Sequence, residues 1–173
     1  MANVNSPFGF VPIGHISGGA IPEPHKYILK TSAKIYKGDP VLIDETGTVD
    51  VGAAGVTTTH LGIAAEYKYD SAGAGGFTIH VFDDPGILYK VQTRTGITTT
   101  QSNVWNTADI YTYAAGSSTS YQSSCVLYTP GTSSKPWIIL GLLESPSNAW
   151  GDCSIVVVKY NQHVFLPGAY AGL

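Results

Sequence analysis

Charge is what this sequence has least of. Only 12% of its residues are Asp, Glu, Lys or Arg, about half the roughly 25% usual in globular chains. The nine basic residues are scattered and the net charge is −3. No basic run is available to neutralise successive phosphates, so nucleic-acid binding is not expected. No apolar run approaches the about 20 residues of a membrane helix, so no membrane partner is expected either. The start, Met1-Ala2-Asn3-Val4-Asn5-Ser6, lacks a positive region followed by an apolar stretch, and no secretory signal is read there.

Cysteine is scarce as well, with Cys125 and Cys153 alone. Without a secretory signal the default is two reduced, partly buried thiols, with a disulfide or a two-residue metal site as the lesser alternatives. No Gly-rich loop has the spacing or lysine of a phosphate cradle, and no Gly-x-Ser-x-Gly elbow occurs. The expectation is a non-enzymatic chain with no cofactor.

Gly, Ser, Thr and Tyr fill the place of charge, a composition that favours strands and tight turns over helices. The chain is organised around Pro136–Phe165. There, Trp137–Leu143 and Ser154–Tyr160 are apolar runs separated by turn-rich Glu144–Asp152, and they read as a long antiparallel pair buried on at least one face. Further strands are read at Lys34–Lys37, Val41–Asp44, Phe77–Phe82, Ile87–Arg94, Ile110–Tyr113 and Ser124–Tyr128. His60–Tyr69 has the clearest period of two, with Leu61, Ile63, Ala65, Tyr67 and Tyr69 on one face. Thr98–Asp109 is the one place for a short helix, with Val104, Trp105 and Ala108 sharing a face. The fold expected is all-β: an antiparallel β-sandwich or barrel with an extended N-terminal arm and at most one short helix.

Residues 1–26 form the arm, and residues 27–173 a single β-rich domain. Pro7, Pro12, Pro22 and Pro24 exclude a helix and a central strand. Phe8, Phe10, Val11 and Ile13 make a solvated tail improbable on physical grounds, since such a tail gains nothing from aromatic side chains. Two readings stay open: an arm that docks these residues on a neighbouring subunit, or one that folds back on its own core. Under the first, the partner-binding residues are Pro7, Phe8, Phe10, Val11, Pro12 and Ile13, and deleting residues 1–26 leaves a folded protein.

The adjacent carboxylates Asp83 and Asp84 point to opposite faces of an extended chain and cannot flank one bond, so Asp83-Asp84-Pro85-Gly86 reads as a turn. A calcium site joining either to Asp39 or Asp44 is the minor alternative. His15, His25, His60, His80 and His163 show no ligand spacing and read mainly as surface or interface residues. Exposed aromatics on a β-sandwich can stack on sugar rings, with Tyr67, Tyr69, Tyr111, Tyr113 and Tyr121 as candidates. The competing reading packs them in the core or an oligomer interface.

The opening Met1-Ala2-Asn3-x-Asn5-Ser6-Pro7-Phe8-Gly9-Phe10-x-Pro12 resembles the start of small structural proteins of tailed bacteriophage heads. Tyr36-Lys37-Gly38-Asp39-Pro40-Val41, Leu61-Gly62-Ile63, Phe82-Asp83-Asp84-Pro85 with Tyr89-Lys90-Val91-Gln92, and Asn106-Thr107-Ala108-Asp109 resemble later segments in the same order. Asn148-Ala149-Trp150-Gly151 and Asn161-Gln162-His163 resemble the ending, although Asn-Glu-His is more usual there. The resemblance implies a capsid decoration, or cement, protein on the outer surface of the virion, assembled in the host cytoplasm. It implies the major capsid protein as partner and self-association as a homotrimer, with a dimer as alternative. The runner-up function is a carbohydrate-binding adhesin module on a virion surface.

Overall fold

The computed structural model describes residues 3–52, 60–112, 119–131 and 134–166. Tyr113, the loop stretch Ala114–Ser118 and the tail beyond Leu166, all read from the sequence above, lie outside them. Among the described residues thirteen strands run in chain order: β1 Val11–His15, β2 His25–Leu29, β3 Lys34–Ile35, β4 Pro40–Ile43, β5 Thr48–Val51, β6 Gly62–Ala64, β7 Lys68–Tyr69, β8 Thr78–Phe82, β9 Ile87–Gln92, β10 Thr107–Thr112, β11 Cys125–Gly131, β12 Trp137–Leu142 and β13 Ile155–Tyr160. The chain is all-β, and its described helical content is one 3-10 turn at Gln101–Asn103.

Two β layers carry the fold. A six-stranded antiparallel sheet has the order β1-β9-β13-β12-β10-β11, and a closed barrel has the order β2-β5-β4-β6-β8. The predicted long pair is β12–β13, in register from Trp137↔Tyr160 to Leu142↔Val156 with a bulge between Ile139 and Gly141. It lies inside the large sheet, flanked by β9 and β10. In the barrel, β2 pairs with β5 in parallel, unlike the other barrel pairs. Five strands closed in a ring cannot alternate direction throughout, so one parallel pair is a consequence of the odd number.

Each layer has its own apolar centre. The sheet's contains Phe10, Ile63, Tyr89, Ile110, Leu127, Trp137, Val156 and Tyr160, and the barrel's contains Leu29, Ile35, Val41, Val49, Leu61, Ala64, Ile79 and Val81. Strand β6 belongs to both, since Ile63 joins the first centre and Ala64 the second. The barrel is tight where β6 meets β8. A Cβ on Gly62 would lie 2.3 Å from the Phe82 carbonyl oxygen and 2.6 Å from Val81 Cγ1. Only glycine lets the two backbones approach so closely.

Several sequence expectations need correction. Residues 8–29 are built into the fold: β1 is an edge strand of the large sheet, paired with β9, and the boundary drawn at residue 26 cuts through β2. Pro12 is tolerated because β1 has a free edge and a register shift between Pro12 and Gly14. His60–Tyr69 is two short strands in different sheets, because the chain bends at Ala65-Glu66 between β6 and β7. The helix expected over Thr98–Asp109 stops after its single turn. Trp105 takes a left-handed φ of 69° and Ala108 enters β10, so the three residues share no helical face. Strands β2 and β5 escaped the pattern reading because both are short and interrupted by polar residues, His25 and Lys26 in β2 and Thr48 and Asp50 in β5.

Gly62→Ala should destabilise the protein by about 3 kcal/mol through backbone overpacking. Gly141→Ala, where an added Cβ meets nothing within 4 Å, should change stability by less than about 1 kcal/mol. Urea unfolding midpoints compare the two, and equal midpoints would contradict the crossing described. Phe10→Ala should cost about 3–5 kcal/mol, and a chain lacking residues 1–26 should fail to give a cooperative transition.

Candidate functional site

The six residues read as partner-binding do not form one exposed arm. Phe10 is 1% exposed and its ring stacks on Trp137 with centroids 4.3 Å apart and planes 27° apart. Its amide donates to the Gly38 carbonyl at 2.9 Å. Pro7, Phe8, Val11 and Pro12 are half-buried, and Ile13, at 38%, is the one exposed member. The segment therefore folds back on its own core at Phe10, the second of the two readings left open. Exposed apolar surface at this end lies at Val4, Ile13 and Ile16.

The large sheet offers a broader surface. Along β9 and β13 the buried residues Tyr89, Val91, Val156, Val158 and Tyr160 alternate with half-buried Leu88, Lys90, Ile155, Val157 and Lys159. The second set faces away from the core, and register places Val157 beside Lys90 and Ile138 beside Lys159. An antiparallel sheet with a solvated face normally alternates apolar with polar. Here the outward positions are Leu, Ile and Val, interrupted by two lysines and, at the end of β9, by Gln92, which is buried and bonded to Val4 and Ser6. A run of Ile155-Val156-Val157-Val158 signalled this in the sequence, where it was read only as burial on at least one face.

Asp83 and Asp84 follow β8 and do separate work, as turn chemistry requires. The Asp83 carboxylate, nearly buried, accepts from His25 Nδ1 at 2.8 Å and from the Tyr27 hydroxyl. Burial first, and then this bond to Asp83, push the Tyr27 phenol pKa up. Asp84 accepts from the Gly86 amide at 2.7 Å and lies 3.3 Å from His15 Nε2. His15 Nδ1 in turn sits 2.6 Å from Ser17 Oγ. The Asp84–His15–Ser17 order has the residue types of a hydrolytic triad. However, His15 Nδ1 also accepts from the Ser17 amide at 3.2 Å, and Ser17 Oγ accepts from the Gly19 amide at 3.4 Å. The serine is thus tied into the turn after β1 by local hydrogen bonds to His15 and Gly19. Among the described residues no group of three or more His, Cys, Asp or Glu is placed to hold a metal ion. Asp39 and Asp44, the other half of the calcium alternative, bond instead to the Tyr36 amide and to Thr46 and Thr48. Cys125 and Cys153 are unpaired and buried.

The histidines divide against expectation. His60 and His163 are fully buried and form a bridge between the segment entering β6 and the segment leaving β13. The Val164 amide donates to the His60 carbonyl at 3.2 Å, and the Phe165 amide to His163 Nδ1 at 3.1 Å. Their rings lie against Trp137 and Tyr160, with centroids 4.6 Å apart for Tyr160–His163 and 6.1 Å for His60–Trp137. Burial, and then the neighbouring His163, lower the His60 pKa to about 3, and burial lowers that of His163 to about 4. Spacing could not have found this pair, because 102 positions separate the two histidines.

Of the sugar-stacking candidates, Tyr67, Tyr69 and Tyr121 come to one side of the molecule. Tyr67 lies 4.6 Å from Tyr121 and 5.2 Å from the buried Tyr36, centroid to centroid. Tyr69 joins through Lys34, whose Nζ is 5.3 Å from its ring and 5.2 Å from that of Tyr36. Tyr111 is elsewhere, on β10, with the Arg94 guanidinium 3.9 Å over its ring and 5.1 Å from Tyr128. Sequence reasoning missed Tyr36 and Lys34, which alternate along one extended segment and so share a face.

The two buried histidines set a pH dependence. Unfolded, they titrate near 6.5; folded, they stay neutral to about pH 4 or below. Asp39 opposes them, because burial raises its folded pKa to about 6 against the Ser123 and Tyr36 hydrogen bonds. Near pH 5 unfolding therefore takes up about two protons on the histidines and releases about one from Asp39. Stability should fall by about 1.4 kcal/mol per pH unit as pH drops from about 6 to 4.5. His163→Asn should bring that slope close to zero. Urea midpoints across the range measure both slopes, and a wild-type stability that holds or rises on acidification would refute the assignment. Set against known proteins, the chain matches no family model, no curated sequence and no solved structure, so its function is argued from its own residues.

Proposed function

We propose that this chain is a non-enzymatic structural protein of a tailed-phage head, one that decorates the capsid and bridges neighbouring major capsid subunits. The observation that carries the reading is the outward face of β9, β13 and β12, where Leu88, Ile155, Val157 and Ile138 stand half-buried beside one another. Strands that are apolar on both faces are ordinarily covered on both faces; here the N-terminal segment reaches the β9 edge, with Phe8 against Lys90 and Val4 and Ser6 bonded to Gln92, while Leu88, Ile155, Val157 and Ile138 remain half-buried. Its two charges, Lys90 and Lys159, are both positive, so a copy laid face to face on itself would oppose like charges. A coat-subunit surface with apolar side chains and carboxylates is complementary.

The order of short segments that resembles head decoration proteins supports the same reading, as does a surface with few charges. Bridging suits the physics of a pressurised shell, where several weak contacts held in one symmetric oligomer gain from effective concentration. The proposed oligomer is a homotrimer at local three-fold positions, with a two-fold dimer as runner-up, on the virion's outer surface.

Purified protein mixed with undecorated phage heads should appear by cryo-electron microscopy as ordered density between capsomers. Val157→Glu should abolish that density while leaving the urea midpoint within about 1 kcal/mol of wild type, since the side chain is on the outer face. Decoration that survives Val157→Glu would remove this face from the contact. Monodisperse, unbound wild-type protein would remove the head-decoration reading for those heads.

A further inference from the structure

The tyrosine side of the molecule has no part in the contact proposed above. Its base is rigid: Tyr36 is 3% exposed, and β3 pairs with β7 through Lys34↔Tyr69 and Ile35↔Lys68. On that base the rings of Tyr36, Tyr67 and Tyr121 make a continuous series of tilted contacts that ends at the surface, where Tyr121 is 51% exposed. Tyr69, 46% exposed, adds a second open ring next to Lys34.

Tyr121 is also held in an unusual backbone state. Its φ is 54°, the left-handed region that costs a non-glycine residue free energy. The state is imposed by pairing on either side: the Lys37 amide donates to the Tyr121 carbonyl at 3.2 Å, the Ser123 amide donates to the Lys37 carbonyl at 2.9 Å, and Lys37 bridges Gln122. The consequence is a large aromatic ring propped on Tyr67 with half its surface left in water. Burying the ring would have been the cheaper solution for stability alone.

Lys34 sets the charge of the site. Its ammonium lies over two tyrosine rings and makes none of the described ion pairs, which use Lys30, Lys68 and Lys135. A ligand that matches this face has a flat apolar side to stack on tyrosine, hydroxyls to meet the phenols, and a negative group for Lys34. A single strand of nucleic acid shares the stacking but needs a track of cations along its backbone, and the chain carries nine basic residues, scattered, at a net charge of −3.

We infer that Tyr121, Tyr67 and Tyr69, with Lys34, form a binding site for an acidic saccharide, its pyranose ring stacked on the exposed tyrosines and its carboxylate facing the Lys34 ammonium. The site is independent of the head-decoration reading, because it needs no capsid and is built from different segments of the chain.

The test is titration of the purified full-length protein by NMR and calorimetry with sialyllactose, an oligogalacturonate, neutral maltohexaose and an oligothymidylate. The expected result is saturable binding of an acidic saccharide at millimolar affinity or better, preferred over maltohexaose. Tyr121→Ala and Tyr69→Ala should each weaken it about tenfold, and Lys34→Gln should erase the preference for the acid. Tyr111→Ala, remote from the site, should leave binding unchanged. Circular dichroism establishes that each variant is folded, and Tyr121→Gly, which also relieves the backbone, should bind as weakly as Tyr121→Ala. No binding of either acidic saccharide, or binding indifferent to Tyr121→Ala, would overturn the site. Tighter binding of the oligothymidylate would overturn the saccharide assignment.

Discussion

A column of aromatic rings in contact, stacked, tilted and edge-on, runs through the middle of this protein. Phe10 lies on Trp137 at 4.3 Å, Trp137 on Tyr160 at 4.1 Å, Tyr160 against His163 at 4.6 Å, and His163 against Phe165 at 5.4 Å. These rings come from the N-terminal segment, from the two central strands and from the segment that follows them. Aromatic side chains bury large areas with few rotatable bonds, so the column fixes both ends of the described chain on the middle of the large sheet. His60 enters from the barrel side and joins the same group. The two layers are thereby tied at one place.

That tie has a cost which explains its pH behaviour. Trp137 Nε1, the Tyr160 hydroxyl, both nitrogens of His60 and His163 Nε2 are buried without a protein hydrogen-bond partner. Each such group opposes folding by about 1–3 kcal/mol unless an internal water satisfies it. The apolar contacts of the rings outweigh this while the imidazoles are neutral. A proton on either ring would place a charge in the same dry space, and so folding excludes it.

The two surfaces proposed above as contacts lie outside this interior. The outward face of β9, β13 and β12 is carried by the central pair, and the proposed tyrosine site is anchored by the small β3–β7 sheet. The first stands on paired strands, which favours contacts made without large rearrangement, whereas the second joins β3 and β7 to the segments holding Tyr67 and Tyr121. The histidine–carboxylate pairs of the Asp83–Asp84 turn stabilise the junction between β8 and β9, next to neither surface's centre.

Much of the architecture was legible in the sequence because local patterns decide it. Short apolar runs between Gly, Pro and Asp clusters marked β4, β8, β9, β10, β11, β12 and β13 to within a few residues, since alternation and turn chemistry act over neighbours. The same patterns misjudged His60–Tyr69, where a bend divides one periodic run between two sheets, and Thr98–Asp109, where β10 took residues assigned to a helix. Periodicity records which side of the chain is apolar and not which sheet receives it. The candidate surfaces were legible only in part: Tyr67, Tyr69 and Tyr121 were singled out as residue types, but their union, and the separation of Tyr111 from them, depended on pairing between distant segments. The same holds for Phe10. Its aromatic character required burial somewhere, and local sequence could not choose between its own core and a neighbour's. By itself, then, the sequence determined an all-β chain, its turns and most of its strands, because those follow from interactions between residues close in the chain. The closed five-strand barrel, the ring column, the buried histidine pair and the grouping of tyrosines were decided by tertiary structure alone, because each depends on contacts between residues that only long-range strand pairing brings together.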